Sequence, residues 1–167
     1  DAIDNATAGN TILVWAGTYN EDIEIDKTLT LVGNGTATII KGTQTDGVDA
    51  VKITADWVNL RDFKIYNGRH GIFINSDNNT ITANAIDDYN EKYGIYLASS
   101  NNNTIHNNVI SSGAAMGIEF SNSNNNTLTN NSINYNAGDG IHISNSNYNV
   151  FSNNIIEDNV GYGIYLS

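Results

Sequence analysis

Five residues recur at intervals of 23 along this 167-residue chain: Phe73, Tyr96, Glu119, His142 and Tyr165. Stacked one strand spacing apart, Glu119 and His142 should touch, with aromatic rings on either side. Aromatic rings beside such a pair suit a sugar, whose apolar face they cover while polar neighbours bond its hydroxyls. The plainer reading is that aromatic residues favour exposed strand positions and steady their cross-strand neighbours. A second group lies in Arg69 and His70 together with Asp87, Asp88, Glu91 and Lys92. Adjacent carboxylates with a base nearby are the makings of a Ca2+ site or of acid–base chemistry. They also make an ordinary solvated corner whose ion pairs count for little. Copper would need imidazole or thioether ligands. The supply is His70, His106, His142 and Met116, and no two of these share a ligand spacing.

The elements that must position these groups are written in the repeats. The tetrapeptides beginning at Gly71, Gly94, Gly117, Gly140 and Gly163 read GIFI, GIYL, GIEF, GIHI and GIYL. Between them recur NNTITANAI, NNTIHNNVI, NNTLTNNSI and YNVFSNNII. Apolar stretches of three or four residues are too short for helices, and their alternation is that of strands. Asparagine and glycine between them tolerate the left-handed backbone that tight corners demand. Three strands and three corners per 23 residues predict an all-β fold, a single-stranded right-handed parallel β-helix of stacked triangular coils.

The stacking predicts columns. Ile72, Ile95, Ile118, Ile141 and Ile164 line the interior, beside Ile74, Leu97, Phe120, Ile143 and Leu166. The residue between those two positions points outward, which puts Glu119 against His142. Asn84, Asn108, Asn131 and Asn154 are expected to form an amide ladder at one corner. One domain spans 1–167: a short helical cap within 1–10, irregular first coils over 11–70, and regular repeats over 71–167. Six full coils at most are expected, with the start of another. The sequence stops inside a coil at Ser167, so an open end is expected, covered by further coils or by a stacked copy of the chain.

Composition removes several function classes. Eighteen acids against seven bases give a formal net charge of −11, which repels phosphate backbones and makes nucleic acid a poor partner. The chain has no cysteine, hence no disulfide, thiolate ligand or cysteine nucleophile. No apolar run reaches the length of a membrane span, so membrane insertion is not expected. Asn-x-Ser/Thr glycosylation sequons begin at Asn5, Asn34, Asn78, Asn102, Asn125 and Asn130.

The opening, from Asp1-Ala-Ile-Asp-Asn-Ala through Thr11-Ile-Leu-Val-Trp-Ala-Gly-Thr-Tyr-Asn-Glu to Leu29-Thr-Leu-Val-Gly-Asn-Gly, resembles the first coils of pectin-lyase-like β-helix proteins. The Gly-Ile-x-Ile and Asn-Asn-x-Ile coils look like NosD-type repeats, also called the carbohydrate-binding and sugar-hydrolysis domain. That resemblance implies an extracellular or cell-surface protein. It admits three roles: a self-associating structural module of a surface layer, adhesin or filament; a carbohydrate-binding or polysaccharide-cleaving module that uses the Phe73–Tyr165 column with Arg69 and His70 of the neighbouring corner; and, most remotely, a copper-maturation factor. The catalytic motifs of the enzymatic relatives are not matched. The epimerase Asp-Pro-His-Asp sequence needs a proline, and this chain has none. Arg61 and Arg69 are the sole arginines available as a lyase base. Ala16–Glu21 matches the pectin esterase opening without the later motifs. No cofactor is therefore expected beyond a possible Ca2+.

Overall fold

A computed structural model describes residues 2–87, 91–113 and 115–167. Among them, 21 short strands form three parallel sheets of seven strands, each sheet taking every third strand along the chain. The first sheet runs from Thr11–Leu13 to Val150–Ser152, and the second from Gly17–Asn20 to Ile155–Glu157. The third comprises Ile23–Ile25, Val51–Ile53, Ile72–Ile74, Ile95–Ala98, Ile118–Ser121, Ile141–Ser144 and Ile164–Leu166. One helix, α1 (Ala2–Asn5), turns Ile3 inward over the first coil.

Seven coils stand where six and a fraction were expected. The miscount has a physical origin in the early corners. Leu31 and its partner Leu60 are 29 residues apart, and Leu60 and Ile81 only 21, before the spacing settles at 23. A spacing that varies this much hides a coil from any search for a fixed period.

The interior columns form as expected. Ile72 pairs in register with Val51 and Ile95, and Ile81 with Leu60 and Ile105. From Ile25 through Ile141, the strand residues facing inward are almost wholly removed from solvent. Each contributes about 1.5–3 kcal/mol on burial.

Asparagine does more than one ladder's work. Asn84, Asn108, Asn131 and Asn154 stack between the first and second sheets, and each Oδ1 accepts the backbone N–H of its counterpart one coil earlier. Each Nδ2 then donates to a strand carbonyl of that earlier coil, as Asn108 does to Ile81 at 2.9 Å. A second ladder of the same design runs through Asn79, Asn103, Asn126 and Asn149 between the third and first sheets. Asn136 and Asn159 form a shorter third one between the second and third sheets.

The repeat glycines serve a purpose other than left-handed corners. Gly94, Gly117 and Gly140 are absent from the positive-φ residues, among which asparagine, as at Asn102, Asn107 and Asn125, is the commonest type. A Cβ on Gly117 would stand 2.5 Å from Ile133 Cγ2 and 2.7 Å from the Gly140 carbonyl oxygen. Those glycines let the backbone of one coil lie against the next.

Candidate functional site

The third sheet carries the chemistry on its outer face. Register places Glu24, Lys52, Phe73, Tyr96, Glu119, His142 and Tyr165 in one file, one residue per coil. Lys52 Nζ lies 3.0 Å from Glu24. Phe73 and Tyr96 rings are 5.4 Å apart. His142 Nδ1 lies 2.6 Å from Glu119 Oε2, its Nε2 is 3.1 Å from Ser167 Oγ, and Tyr165 stacks on its ring at 5.1 Å.

A second file runs beside the first, and the sequence reading did not single it out. It consists of the residue before each position that carries the repeat glycine: Asp49, His70, Tyr93, Met116, Asp139 and Tyr162. Backbone hydrogen bonds from Ala50, Gly71, Gly94, Gly117 and Gly140 to the next member's carbonyl fix this alignment. The signal was available, because the column follows from the same 23-residue period shifted by three positions.

The two files interlock into alternating groups. His70 Nδ1 lies 2.7 Å from Asp49 Oδ1, and its ring packs among Tyr93 at 5.1 Å, Tyr96 at 5.1 Å and Phe73 at 6.1 Å. His70 is 1% exposed, and its Nε2 has no hydrogen-bond partner among the described residues. Farther along, Tyr162 stacks on Tyr165 at 5.6 Å and its backbone N–H donates to Asp139 Oδ1. The order along the axis is an acid–histidine pair, three aromatic rings, a second acid–histidine pair and two more rings. An open hollow of ≈ 390 Å³ adjoins the first pair, lined by Asp22, Glu24, Asp49 and Lys52 among others.

Burial changes the electrostatics. Glu119 occupies an outward strand position but is only 6% exposed. That burial raises its carboxyl pKa above the ordinary value; the His142 hydrogen bond and charge oppose the rise, and Asp139 adds to it. Tyr93 is raised as well, first by burial and then by Glu119 and Tyr96, against Arg69. A carboxyl held toward its neutral form and hydrogen-bonded to an imidazole has the geometry for proton transfer between the two.

The other expected groupings separate. Lys92 donates its backbone N–H to the Arg69 carbonyl and Glu91 to that of Gly68, so the corner does stack beside Arg69 and His70. Asp87, however, pairs with Lys64 Nζ at 2.8 Å, and Asp88 lies outside the described residues. Among the described residues no three carboxylates or histidines come together as a metal site. His106 sits on the first sheet beside Thr82 and Asn107, away from His70 and His142. Among the described residues no helix is long and apolar enough to cross a membrane.

Against known proteins, a family model described as the right handed beta helix region matches residues 47–167. A cell surface glycoprotein of Methanothermus fervidus is 38% identical over 89 residues, 52% of this chain and 15% of that protein. The chain thus spans a small part of that relative's length. Among solved structures, an alginate lyase from Paenibacillus superposes with a TM-score of 0.71 at 17% identity, over 92% of this chain and 71% of the enzyme. A pectin methylesterase from Aspergillus niger gives 0.54 at 14% identity, over 92% and 78%. At such identities the likeness is one of fold alone.

Proposed function

The chain belongs to the right-handed β-helix family, and from that premise we propose that it is a rod-like structural module of a cell-surface protein. The observation that carries this reading is the bracing of the corners. Where a corner asparagine is buried, its amide ties its own coil to the previous one, which is the economy of a rigid scaffold. The similarity to a cell surface glycoprotein supports the location. An acidic, cysteine-free surface suits a rod that stays apart from nucleic acid.

The rod extends by stacking. Ile164 and Leu166, in the inward columns of the last coil, are 46% and 70% exposed, an apolar face of the kind that further coils or a second copy would cover. Electron microscopy of native material tests this reading. Fibres or layers with a regular axial repeat are expected, and Ile164→Asp/Leu166→Asp should disperse them. Assemblies unaffected by that double variant would sink the stacking idea.

A second reading rests on the two files of the third sheet. Acid–histidine pairs alternating with aromatic rings make a surface that can stack on and hydrogen-bond a polysaccharide. A Tyr96→Ala/Glu119→Ala/His142→Ala variant is expected to lose polysaccharide affinity at least tenfold. Unchanged affinity would remove this reading.

A further inference from the structure

The corners sort the asparagines into two populations. Asn79, Asn84, Asn103, Asn108, Asn126 and Asn131 are buried and their amides bond within the ladders. Asn102, Asn125 and Asn130 are exposed at left-handed corners, with φ of 58°, 57° and 57°. Their side-chain amides bond to nothing among the described residues. In each of these three sequons the exposed asparagine comes first, a ladder asparagine sits in the middle, and a strand-opening hydroxyl follows: Thr104, Thr127 or Ser132. An acceptor nitrogen must be free and must leave the surface. Modifying a ladder asparagine would break two or three buried hydrogen bonds, whereas modifying a corner asparagine breaks none.

The sequons are also distributed unevenly. Asn78, Asn102 and Asn125 lie between the third and first sheets, and Asn34 and Asn130 between the first and second. The corner between the second and third sheets has no sequon in any coil. That is the corner carrying Asp49, His70, Tyr93, Asp139 and Tyr162.

We propose that Asn102, Asn125 and Asn130 are N-glycan acceptors, and that their glycans cover two edges of the rod while leaving the acid–aromatic strip bare. Asn102 and Asn125 stand one strand spacing apart, about 4.8 Å. Branched glycans crowd at that distance, so most chains carry a glycan at one of the two. Asn78 is half-buried at its corner and stays largely unmodified.

The inference rests on the cell-surface reading, and the test separates the two. Intact cells of the source organism are treated with protease to establish exposure. Native protein is then digested with a nonspecific protease and its glycopeptides are sequenced by mass spectrometry. Glycan on Asn130 and on either Asn102 or Asn125 is expected, with none on residues of the corner between the second and third sheets. The variant Thr104→Val/Thr127→Val/Ser132→Ala destroys the three sequons without replacing an asparagine or breaking a ladder bond, at the loss of one part-buried bond from Asn134 Nδ2 to Ser132 Oγ, and is expected to fold and to lose that glycan mass. Protein at the cell surface with all three asparagines bare, or with glycan at Asn136 or Asn159, overturns the proposal. Protein found inside the cell overturns the surface reading and this inference with it.

Discussion

The corners flanking the first sheet and the corner between the second and third sheets are built on opposite plans. In the regular coils the former repeat closely: a left-handed asparagine, a buried ladder asparagine, then a strand. The latter varies in content from coil to coil, passing through Gly-Arg-His, Glu-Lys-Tyr, Ala-Met and Gly-Asp. It also lies against the outer face of the third sheet, where its side chains pair with those of the strand. Stability is concentrated where the pattern is strict, and chemical variety where it is relaxed.

Substitutions at each kind of corner sharpen that contrast. The largest effect is expected from Asn108→Ala, which removes an acceptor for the Asn84 N–H and donors to Ile81, His106 and Asn131. Leaving such buried groups unpaired costs roughly 3 kcal/mol, readable as a shift in the urea midpoint. An unchanged midpoint would mean that water replaces the ladder. Gly117→Ala comes next, at about 2 kcal/mol, because its Cβ meets Ile133 and the Gly140 carbonyl oxygen. Asn125→Ala is expected to lose about 1 kcal/mol through the left-handed backbone alone, and Asn125→Gly to lose nothing. Equal losses in the two would show that the asparagine side chain, and not its backbone, matters there.

The smallest effect on stability belongs to the strip, and it depends on pH. Glu119 is pushed toward its neutral form in the folded chain. Its contribution is therefore fully present below the ordinary carboxyl pKa and is lost as pH rises through the raised folded value. Measured against Glu119→Gln, the wild type should lose relative stability as pH climbs from about 4 toward neutrality. A gap between the two proteins that stays constant with pH would refute the burial argument.

How much of this the sequence revealed depended on distance along the chain. The interior columns, the Asn84 ladder and the Glu119–His142 contact all follow from one period of 23, since equivalent residues in adjacent coils must touch. The burial of Glu119 does not follow from any strand pattern. It arises because a corner from a different part of the coil lies over the strand. The pairing of Asp49 with His70 was hidden for a related reason: the two are 21 residues apart, so Asp49 falls off the 23-residue grid that carries His70. Asp87 was visible as a carboxylate beside others, but its partner Lys64 belongs to the previous coil of the second sheet.

The amide ladders also give the rod a direction. Every ladder Oδ1 accepts a hydrogen bond from the coil before it, and none from the coil after. A coil added beyond Asn149, Asn154 and Asn159 must therefore bring three side-chain oxygens to meet their backbone N–H groups, one at each corner. The two ends of such a rod differ like plug and socket. At the opposite end α1 covers the first coil, so the two ends of the chain are not interchangeable.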